Sequence, residues 1–248
     1  MHRFYLPPQQ CQGQSLCLTG SEAHHAQHVL RVRPGEAVTV LDGAGGEFRC
    51  EVRGCPGRQV ELQVLETRRH PLPRSQVTLL QAIPKAKLME AIIQKATELG
   101  AWRIVPLLTE RVVSQLDDMQ RAQKQEKWQQ VAVEAIKQCG QAWLPTVEAP
   151  LPPAQVLARK EAFDLPLIAS LQSGSRHARE YFRAYADQHG RKPATLCIWV
   201  GPEGDFTPAE VEAITAQGAQ PITLGPLVLR VETAATYCLS VLSYELTA

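Results

Sequence analysis

The first third of the chain is a series of short runs in which apolar and polar residues alternate. Such runs at 38–41, 47–52 and 60–64 predict strands, and the glycine-rich stretch 42–46 predicts a hairpin turn. A helical pattern at 21–30 predicts a short helix with its first residue, a serine, as the N-cap. Together these elements predict a small N-terminal β-barrel of about 70 residues.

The remainder of the chain alternates apolar strands with longer helical segments. Apolar runs predict five strands, at 77–83, 102–108, 165–171, 195–200 and 221–224. Periodic segments predict five helices, at 84–99, 117–139, 176–188, 207–217 and 232–246. The first of these helices is expected to open at its proline. Strands that alternate with helices predict a parallel α/β sheet covered on both faces.

The boundary between the two parts is predicted at 68–73, where two prolines interrupt helix and strand alike. We therefore expect two domains, residues 1–72 and residues 73–248. A second proline-rich stretch, 144–153, is predicted to be a connection within the second domain. The length of 248 residues and the hydrophobic fraction of 44% allow each domain a buried core.

The charge of the chain is nearly balanced, at +1, so the total does not indicate a strongly basic nucleic-acid binder. Its distribution is uneven, because residues 1–76 hold nine Arg, no Lys and seven acids. Arginine presents planar, bidentate donors that suit phosphates and base edges. The codon bias of a high-GC genome gives the same enrichment, and both explanations remain open.

The cysteines and histidines do not form a recognisable metal site. The seven cysteines are scattered without a C-x-x-C motif, which predicts reduced, mostly buried thiols. His24, His25 and His28 lack carboxylate or cysteine partners at matching spacing, so a solvated or RNA-facing helix is favoured over metal binding. The chain has no run typical of a signal peptide or a membrane span. We expect a cytoplasmic protein that binds neither metal nor membrane.

The segment 199–210 is the first candidate ligand site. An apolar strand ends at Gly201, a loop runs to Gly204, and a helix follows with Thr207 as N-cap and Glu210 completing a capping box. Loops at the carboxyl ends of parallel strands are where α/β proteins bind ligands. Glycines there let the main chain approach a ligand closely. The alternative is an ordinary strand-to-helix turn.

The segment 224–235 is the second candidate site. It also runs from a short strand through a loop into a helix, but its loop is apolar apart from Arg230. An apolar loop is unusual unless it is buried or packs on a ligand such as an adenine ring. Arg230 and Glu232 are the charged groups beside it. A salt bridge or a helix-end charge pair is the alternative interpretation of these two residues.

Short motifs along the whole chain resemble those of one family. They are HH at 24–25 with HVLR at 28–31, QKATELG at 94–100, EAIKQCG at 134–140, GPEG at 201–204, LG at 224–225, and LR with ETA at 229–234. In this order they are similar to the 16S rRNA (uracil(1498)-N3)-methyltransferases. These form the ribosomal RNA small subunit methyltransferase E family, within the knotted SPOUT methyltransferases.

The resemblance implies a PUA-like barrel that binds RNA, followed by an α/β domain with a trefoil knot. It also implies a homodimer and a methyl transfer from S-adenosyl-L-methionine to a uracil N3. The RNA partner would be 16S rRNA or the small ribosomal subunit. The implied cofactor-binding residues are Leu171, Val200, Gly201, Pro202, Glu203, Gly204, Leu224, Gly225, Leu229, Arg230, Thr233 and Ala234.

Roles for single residues follow from the chemistry of the implied reaction. Arg230 is a candidate to stabilise negative charge on the uracil oxygens, and Glu232 to take the N3 proton or orient the base. Basic and aromatic side chains of the first domain are candidates for RNA contacts: Arg3, His25, Arg31 and Arg33.

The chain departs from the family pattern at Asp205, Leu227 and Gln141, which adds one acid and removes two cations near the implied pocket. Two other functions stay open: a methyltransferase of the same fold that acts on another RNA position, and a non-catalytic RNA-binding assembly factor. An unrelated nucleotide enzyme is disfavoured, because the sequence has no P-loop and a strand follows the glycines at 43–46.

Overall fold

The computed structural model of the protein describes residues 1–85, 88–111, 116–171 and 174–247. Its chain forms two compact units. The first unit comprises Met1–Leu72 and Val133–Leu144, and the second comprises Pro73–Ala132 and Pro145–Ala248. The segment Val133–Leu144, which the sequence pattern places in the second domain, thus packs within the first unit.

The first unit is built on one five-stranded sheet. Its strands are β1 (His2–Tyr5), β2 (Ser15–Leu18), β3 (Ala37–Leu41), β4 (Gly46–Gly54) and β5 (Val60–Arg69). They lie in the order β1-β3-β4-β5-β2, with β1 parallel to β3 and the other pairs antiparallel. Among the described residues no ladder joins β1 to β2, so the predicted barrel is an open, curled sheet. Alternate side chains such as Phe4, Leu18 and Leu62 fill its core.

The helix expected at 21–30 is two helices. α1 (Gly20–His24) is α-helical, and the next six residues, His25–Leu30, form a π-helix. Ser21 is not the N-cap, because the helix already begins at Gly20, and Thr19 at the cap position makes no side-chain cap bond. Arg31, with a φ of 55°, ends the π-helix in the left-handed region. A π-helix of this kind is frequent at functional sites.

The linker predicted at 68–73 begins two residues too early. β5 continues through Arg69, and Arg68 and Arg69 are paired with residues of β4. The strand persists without apolar alternation because charged side chains pair along its end: Arg69 contacts the buried Asp42 at 2.8 Å.

The second unit contains the predicted parallel sheet, with six strands instead of the expected five. Its strands are β6 (Gln76–Ala82), β7 (Arg103–Leu107), β8 (Thr146–Val147), β9 (Leu165–Ala169), β10 (Thr195–Val200) and β11 (Gln220–Ile222). They lie in the order β11-β9-β10-β6-β7-β8, and all neighbouring strands among the described residues pair in parallel. β6 and β10 are buried along almost their whole length, as strands covered on both faces should be.

Helices cover this sheet on both faces. They are α2 (Leu88–Glu98), α3 (Asp118–Cys139), α4 (Pro153–Ala158), α5 (Ala178–His189), α6 (Pro208–Ala216) and α7 (Val231–Thr247). α2 packs against α7, and α4 packs against α6. Thr207 caps α6 and forms the predicted capping box with Glu210.

Two expectations for the second unit are wrong. Pro84 does not open a helix: residues 84–85 are outside α2, and the main-chain N–H of Lys85 donates to Glu203 Oε1 at 2.8 Å. Residues 86–87 lie outside the described part of the chain. The proline-rich stretch 144–153 contains the short strand β8 and the start of α4, because Pro153 occupies the first helical turn, where its missing N–H costs nothing.

A buried ion pair holds the carboxyl end of α3 within the first unit. Lys137 Nζ lies 2.7 Å from Glu22 Oε1 and 2.8 Å from Glu134 Oε1, and its side chain is only 6% exposed. Burial acts to lower the pKa of Lys137, but hydrogen bonds and attraction from Glu134 and Glu22 outweigh it and raise that pKa. Glu22 also accepts the main-chain N–H of Tyr5 at 3.1 Å. The pair therefore joins α1, β1 and α3.

Replacing Lys137 tests this pair. In Lys137→Met the volume is kept but Glu22 loses its cation, so we expect a loss of about 3–5 kcal/mol in the free energy of unfolding. Urea denaturation followed by circular dichroism measures it. Lys95→Met removes an exposed pair with Glu98 and should cost less than about 1 kcal/mol. Similar losses of unfolding free energy in the two variants would show that the buried Lys137–Glu22 pair stabilises the protein no more than an exposed pair does.

Candidate functional site

The carboxyl ends of the parallel strands in the second unit carry a cavity of about 490 Å³. The loops that follow β9, β10 and β11 all open toward it, because parallel strands end at the same edge of their sheet. The cavity has the size and the apolar character of small-molecule sites. A second cavity of about 550 Å³ lies between α5 and α7, and it touches the strand-end loops only at His177, Thr223 and Leu224. The strand-end cavity is therefore the stronger candidate.

The structure brings most of the predicted cofactor residues to this cavity. Those that line it are Leu171, Val200, Gly201, Pro202, Glu203, Leu224, Leu229, Arg230 and Ala234. Gly204, Gly225 and Thr233 do not line it. Glu232, predicted as a catalytic group, lies on its wall. The two segments singled out by their glycines and aliphatic residues thus meet at one site.

Several residues that line the cavity were not among the predicted cofactor-binding residues, although Leu227, Val228 and Val231 lie within the predicted segment 224–235. They are Leu88, Ala169, Ser170, Asp205, Leu227, Val228 and Val231. Leu88 is the first residue of α2 and reaches the site through the fold, so no local pattern marks it. Leu227 and Val228 are 71% and 80% exposed, and their unusual exposure in an apolar loop was the available signal.

The loop after β10 is fixed by contacts from the loops after β6 and β7. Lys85 binds Glu203 through its main-chain N–H, and the Arg111 guanidinium donates to the Gly204 carbonyl. Within the loop, Asp205 adopts a φ of 61° and its Oδ1 accepts the Phe206 N–H at 2.8 Å. Asp and Asn tolerate this left-handed conformation better than most residues. Segments far apart in sequence therefore set the shape of this wall.

Gly201 sits where any side chain would collide with the loop. A Cβ at this position would lie 3.0 Å from Asp205 Oδ1 and 3.2 Å from the Phe206 nitrogen. Phe206 is buried and packs edge-on against Trp199, so it has little room to shift. Glycine at position 201 thus permits the close packing of this loop at the cavity wall.

Two glycine substitutions test this arrangement. Gly201→Ala should cost about 1–3 kcal/mol of unfolding free energy, because the loop must move or strain. Gly204→Ala is the matched control, since its Cβ would meet only the flexible Arg111 side chain at 3.3 Å. Thermal and urea unfolding of both variants measure the difference. A Gly201→Ala protein as stable as Gly204→Ala would contradict the tight approach.

Arg230 and Glu232 provide charge at the cavity wall. Among the residues that the structure describes, neither forms a salt bridge, so the predicted alternative of a mutual ion pair is not what holds them. Arg230 is exposed, and its carbonyl accepts the Ala234 N–H at 2.8 Å in the first turn of α7. Both charged groups remain available to a ligand.

Cysteine chemistry is not favoured at this site. Cys238 of α7 is fully buried, and burial raises the pKa of its thiol to about 12. Burial likewise raises the pKa of Cys197 in β10 to about 12. Both thiols stay protonated at neutral pH and are poor nucleophiles.

The predicted RNA-contacting residues all lie in the first unit, in different environments. Arg3 donates to the carbonyls of Gln138 at 2.9 Å and Lys137 at 3.4 Å, so its guanidinium is engaged at the end of α3. His25 is half-buried, with its ring edge-on to Phe4. Arg31 and Arg33 are exposed and form no salt bridge with described residues. Arg31 and Arg33 are therefore more available to a ligand than Arg3 is.

Comparison with known proteins agrees with this geometry. Residues 70–243 match the RNA methyltransferase domain model, and residues 18–65 match the RNA methyltransferase PUA domain model. The ribosomal RNA small subunit methyltransferase E of Bacillus subtilis is 35% identical over 230 residues, covering 92% of this chain and 89% of the relative. The chain belongs to the ribosomal RNA small subunit methyltransferase E family. The family resemblance found from sequence motifs is thereby confirmed, and the protein is an RNA methyltransferase.

Solved structures extend the family likeness to three dimensions. A Legionella pneumophila methyltransferase with bound S-adenosylmethionine has a TM-score of 0.87 and 32% identity, covering 98% of this chain and 96% of its own. The small subunit methyltransferase E of Neisseria gonorrhoeae, also bound to S-adenosylmethionine, has a TM-score of 0.83 and 27% identity, covering 97% and 96%. This methyltransferase E family member therefore shares its relatives' fold along nearly its whole length.

Membrane-spanning helices and metal sites are both absent from the described part of this family member. No described helix combines the length and the apolar character that crossing a bilayer requires. No group of three or more His, Cys, Asp or Glu side chains in the described residues is arranged to hold a metal ion.

Proposed function

We propose that the protein transfers a methyl group from S-adenosyl-L-methionine to N3 of the uridine equivalent to position 1498 of 16S rRNA. One observation carries the proposal. The two glycine-containing loops after β10 and β11 line one cavity at the carboxyl edge of the sheet, in a chain whose solved relatives contain this methyl donor. The RNA partner is 16S rRNA or the small ribosomal subunit that contains it.

The cavity fits the adenosyl part of this cofactor. Its walls are mostly aliphatic, with Leu224, Leu227 and Leu229 on the loop after β11, and apolar surface of this kind suits an adenine ring. Gly201 and Pro202 also line the cavity, and main-chain groups of such a loop suit the polar atoms of the cofactor. We assign cofactor binding to the whole predicted set, with Gly204, Gly225 and Thr233 supporting the loops rather than lining the cavity.

The reaction requires an in-line alignment of donor and acceptor, and N3 must lose a proton. When bound, the cofactor supplies an electrophilic methyl group. Since N3 lies on the pairing edge of the base, the target uridine must be unpaired or flipped out. In this proposal Arg230 stabilises the negative charge that develops on the uracil oxygens, and Glu232 accepts the N3 proton or orients the base. Both groups lie on the cavity wall without a salt bridge to described residues.

We further propose that the chain end forms the trefoil knot of the SPOUT fold. After β11, at the edge of the sheet, the chain must return to α7, which packs against α2 and β10 near the centre. At the start of this return, Thr223 donates to the Arg176 carbonyl and Arg176 forms a bridge with Ile222. This contact places the start of the return against the loop after β9, which a knotted chain would have to pass through. A crystal structure with the chain outside that loop would contradict the knot.

A homodimer is the second structural part of the proposal. Aliphatic side chains at the cavity rim are strongly exposed, with Leu171 at 62% and Val228 at 80%. Contiguous exposed apolar surface on a soluble domain marks an interaction site. A second copy of the chain would cover it and bring each cavity close to its partner.

Val228→Asp tests the dimer. A charge placed in a covered apolar contact should raise the dimer dissociation constant by more than about tenfold. Sedimentation velocity over a range of concentrations measures this constant. Met119→Asp is the matched control, because Met119 is 71% exposed but does not line the cavity. A monomeric wild-type protein, or equal effects of the two substitutions, would exclude this interface.

The enzymatic proposal is tested with tritiated cofactor and three RNA substrates: free 16S rRNA, assembled small subunits and transfer RNA. We expect label in the small-subunit RNA, recovered as N3-methyluridine by nucleoside mass analysis. Arg230→Ala should lower kcat/KM by about a hundredfold or more, because it removes charge stabilisation in the transition state. Calorimetry should show that its affinity for S-adenosylmethionine falls far less than kcat/KM does.

The same experiments separate the alternatives. Another methylated nucleoside would indicate a methyltransferase of this family with a different RNA position. Absence of cofactor binding by the wild type would indicate a non-catalytic assembly factor. Equal loss of cofactor binding and transfer in Arg230→Ala would mean that Arg230 only shapes the cavity.

A further inference from the structure

The first unit contains a cavity of its own, which the proposed methyl transfer does not use. It has a volume of about 510 Å³ and is lined by Gly20, His24, Gln27, His28 and Arg58. Three of these five residues carry basic or imidazole groups, and none of them is acidic. We call this site the histidine–arginine cavity.

The cavity is built by a specific contact between the π-helix and the turn before β5. The side-chain amide of Gln27 donates to the carbonyls of Gly57 at 3.2 Å and Gln59 at 2.9 Å. The turn is closed by a bond from the Gln59 N–H to the Pro56 carbonyl at 3.0 Å. One neutral side chain thereby holds the turn that carries Arg58 beside the helix.

Two histidines form the helical side of the cavity. The rings of His24 and His28 lie with centroids 4.7 Å apart and planes tilted by 45°. His24 ends α1 and His28 lies in the π-helix, so the change of helix type falls between them. Irregular helix turns of this kind cluster at functional sites. Both rings are exposed enough for their N–H groups to reach a ligand.

The salt bridges of the first unit leave unpaired positive charge around the histidine–arginine cavity. Most cations on the sheet and at the end of α3 are paired with acids, as in Arg49–Glu66, Arg53–Glu51, Arg69–Asp42 and Lys137–Glu22. Arg58, by contrast, forms no salt bridge with any described residue, and neither do Arg31 and Arg33, which follow the π-helix. Of the guanidinium groups without a salt bridge to a described residue, these three therefore follow the π-helix or lie on the turn bound to it, whereas Arg3 and Arg68 lie on the sheet.

We propose that the histidine–arginine cavity binds a phosphodiester group of the RNA substrate. This inference rests on the proposed function. Guanidinium and imidazole N–H groups are donors suited to phosphate oxygens, and phosphate contacts fix the register of an RNA on its protein. Arg3 is a poorer candidate for this role than the sequence indicated, because the carbonyls at the end of α3 already occupy its guanidinium.

The experiment measures binding of the full-length protein to a small-subunit RNA fragment over a range of salt concentrations. Arg58→Ala should weaken binding by about tenfold at low salt and lower the slope of log K against log salt by about one. Arg53→Ala is the matched control, because Arg53 is an exposed arginine of the same unit that is already paired with Glu51. It should leave both quantities nearly unchanged.

Two further variants test whether RNA affinity depends on the arrangement of the cavity or only on net charge. Gln27→Ala keeps the charge but releases the turn, so it should weaken RNA binding and leave circular dichroism unchanged. The double variant His24→Ala/His28→Ala should weaken binding about as much as Arg58→Ala. Equal effects of Arg58→Ala and Arg53→Ala, or full affinity in Gln27→Ala, would overturn the proposal.

The outcome is distinguishable from a failure of the proposed function. In Arg58→Ala, S-adenosylmethionine affinity should stay at the wild-type value, and kcat at saturating RNA should be retained while KM rises. A wild-type protein that binds RNA but transfers no methyl group would refute the methyl transfer, while the salt slopes would still decide the histidine–arginine cavity.

Discussion

The catalytic unit depends on one geometric constraint: parallel strands end at the same edge of their sheet. Loops that follow β6, β7, β9, β10 and β11 must share that edge, although they come from distant parts of the chain. Three contacts show the result, from Lys85 to Glu203, from Arg111 to the Gly204 carbonyl, and from Thr223 to the Arg176 carbonyl. The cavity is the space that these tied loops leave open, and its shape is therefore a property of the whole sheet.

The same constraint explains how much of the site the sequence could predict. The loop after β10 was identifiable because its signals are local: an apolar strand, a glycine, and the capping box of Thr207 with Glu210. The loop after β11 was identifiable because an apolar surface loop is unusual. Leu88 and Arg111 reach the site only through tertiary packing, and no local periodicity records that. The loops that line such a site can thus be predicted from the sequence, whereas the residues that support those loops from elsewhere in the chain cannot.

The fold shows the same division between local and tertiary causes. The strand expected at 195–200 matches β10 because a fully buried strand has a continuous apolar run. β8 has two residues and gives no such run, so it was missed. The pairing of Lys137 with Glu22 spans 115 positions and draws the end of α3 into the first unit. A helix that looks continuous in sequence can therefore belong to two units.

Tertiary contacts also determine which arginines of the first unit are available to bind RNA. The excess of arginine in the first 76 residues did not by itself separate RNA binding from codon bias. The structure separates the arginines by what they touch: Arg69 and Arg3 are committed to internal partners, whereas Arg58 faces a cavity shared with two histidines. Committed cations stabilise the unit, and one that is paired with an acid, such as Arg69 with Asp42, contributes little to a long-range field. Counterion release scales with the number of cations that contact phosphates. The arginines without internal partners therefore determine how this unit would bind RNA.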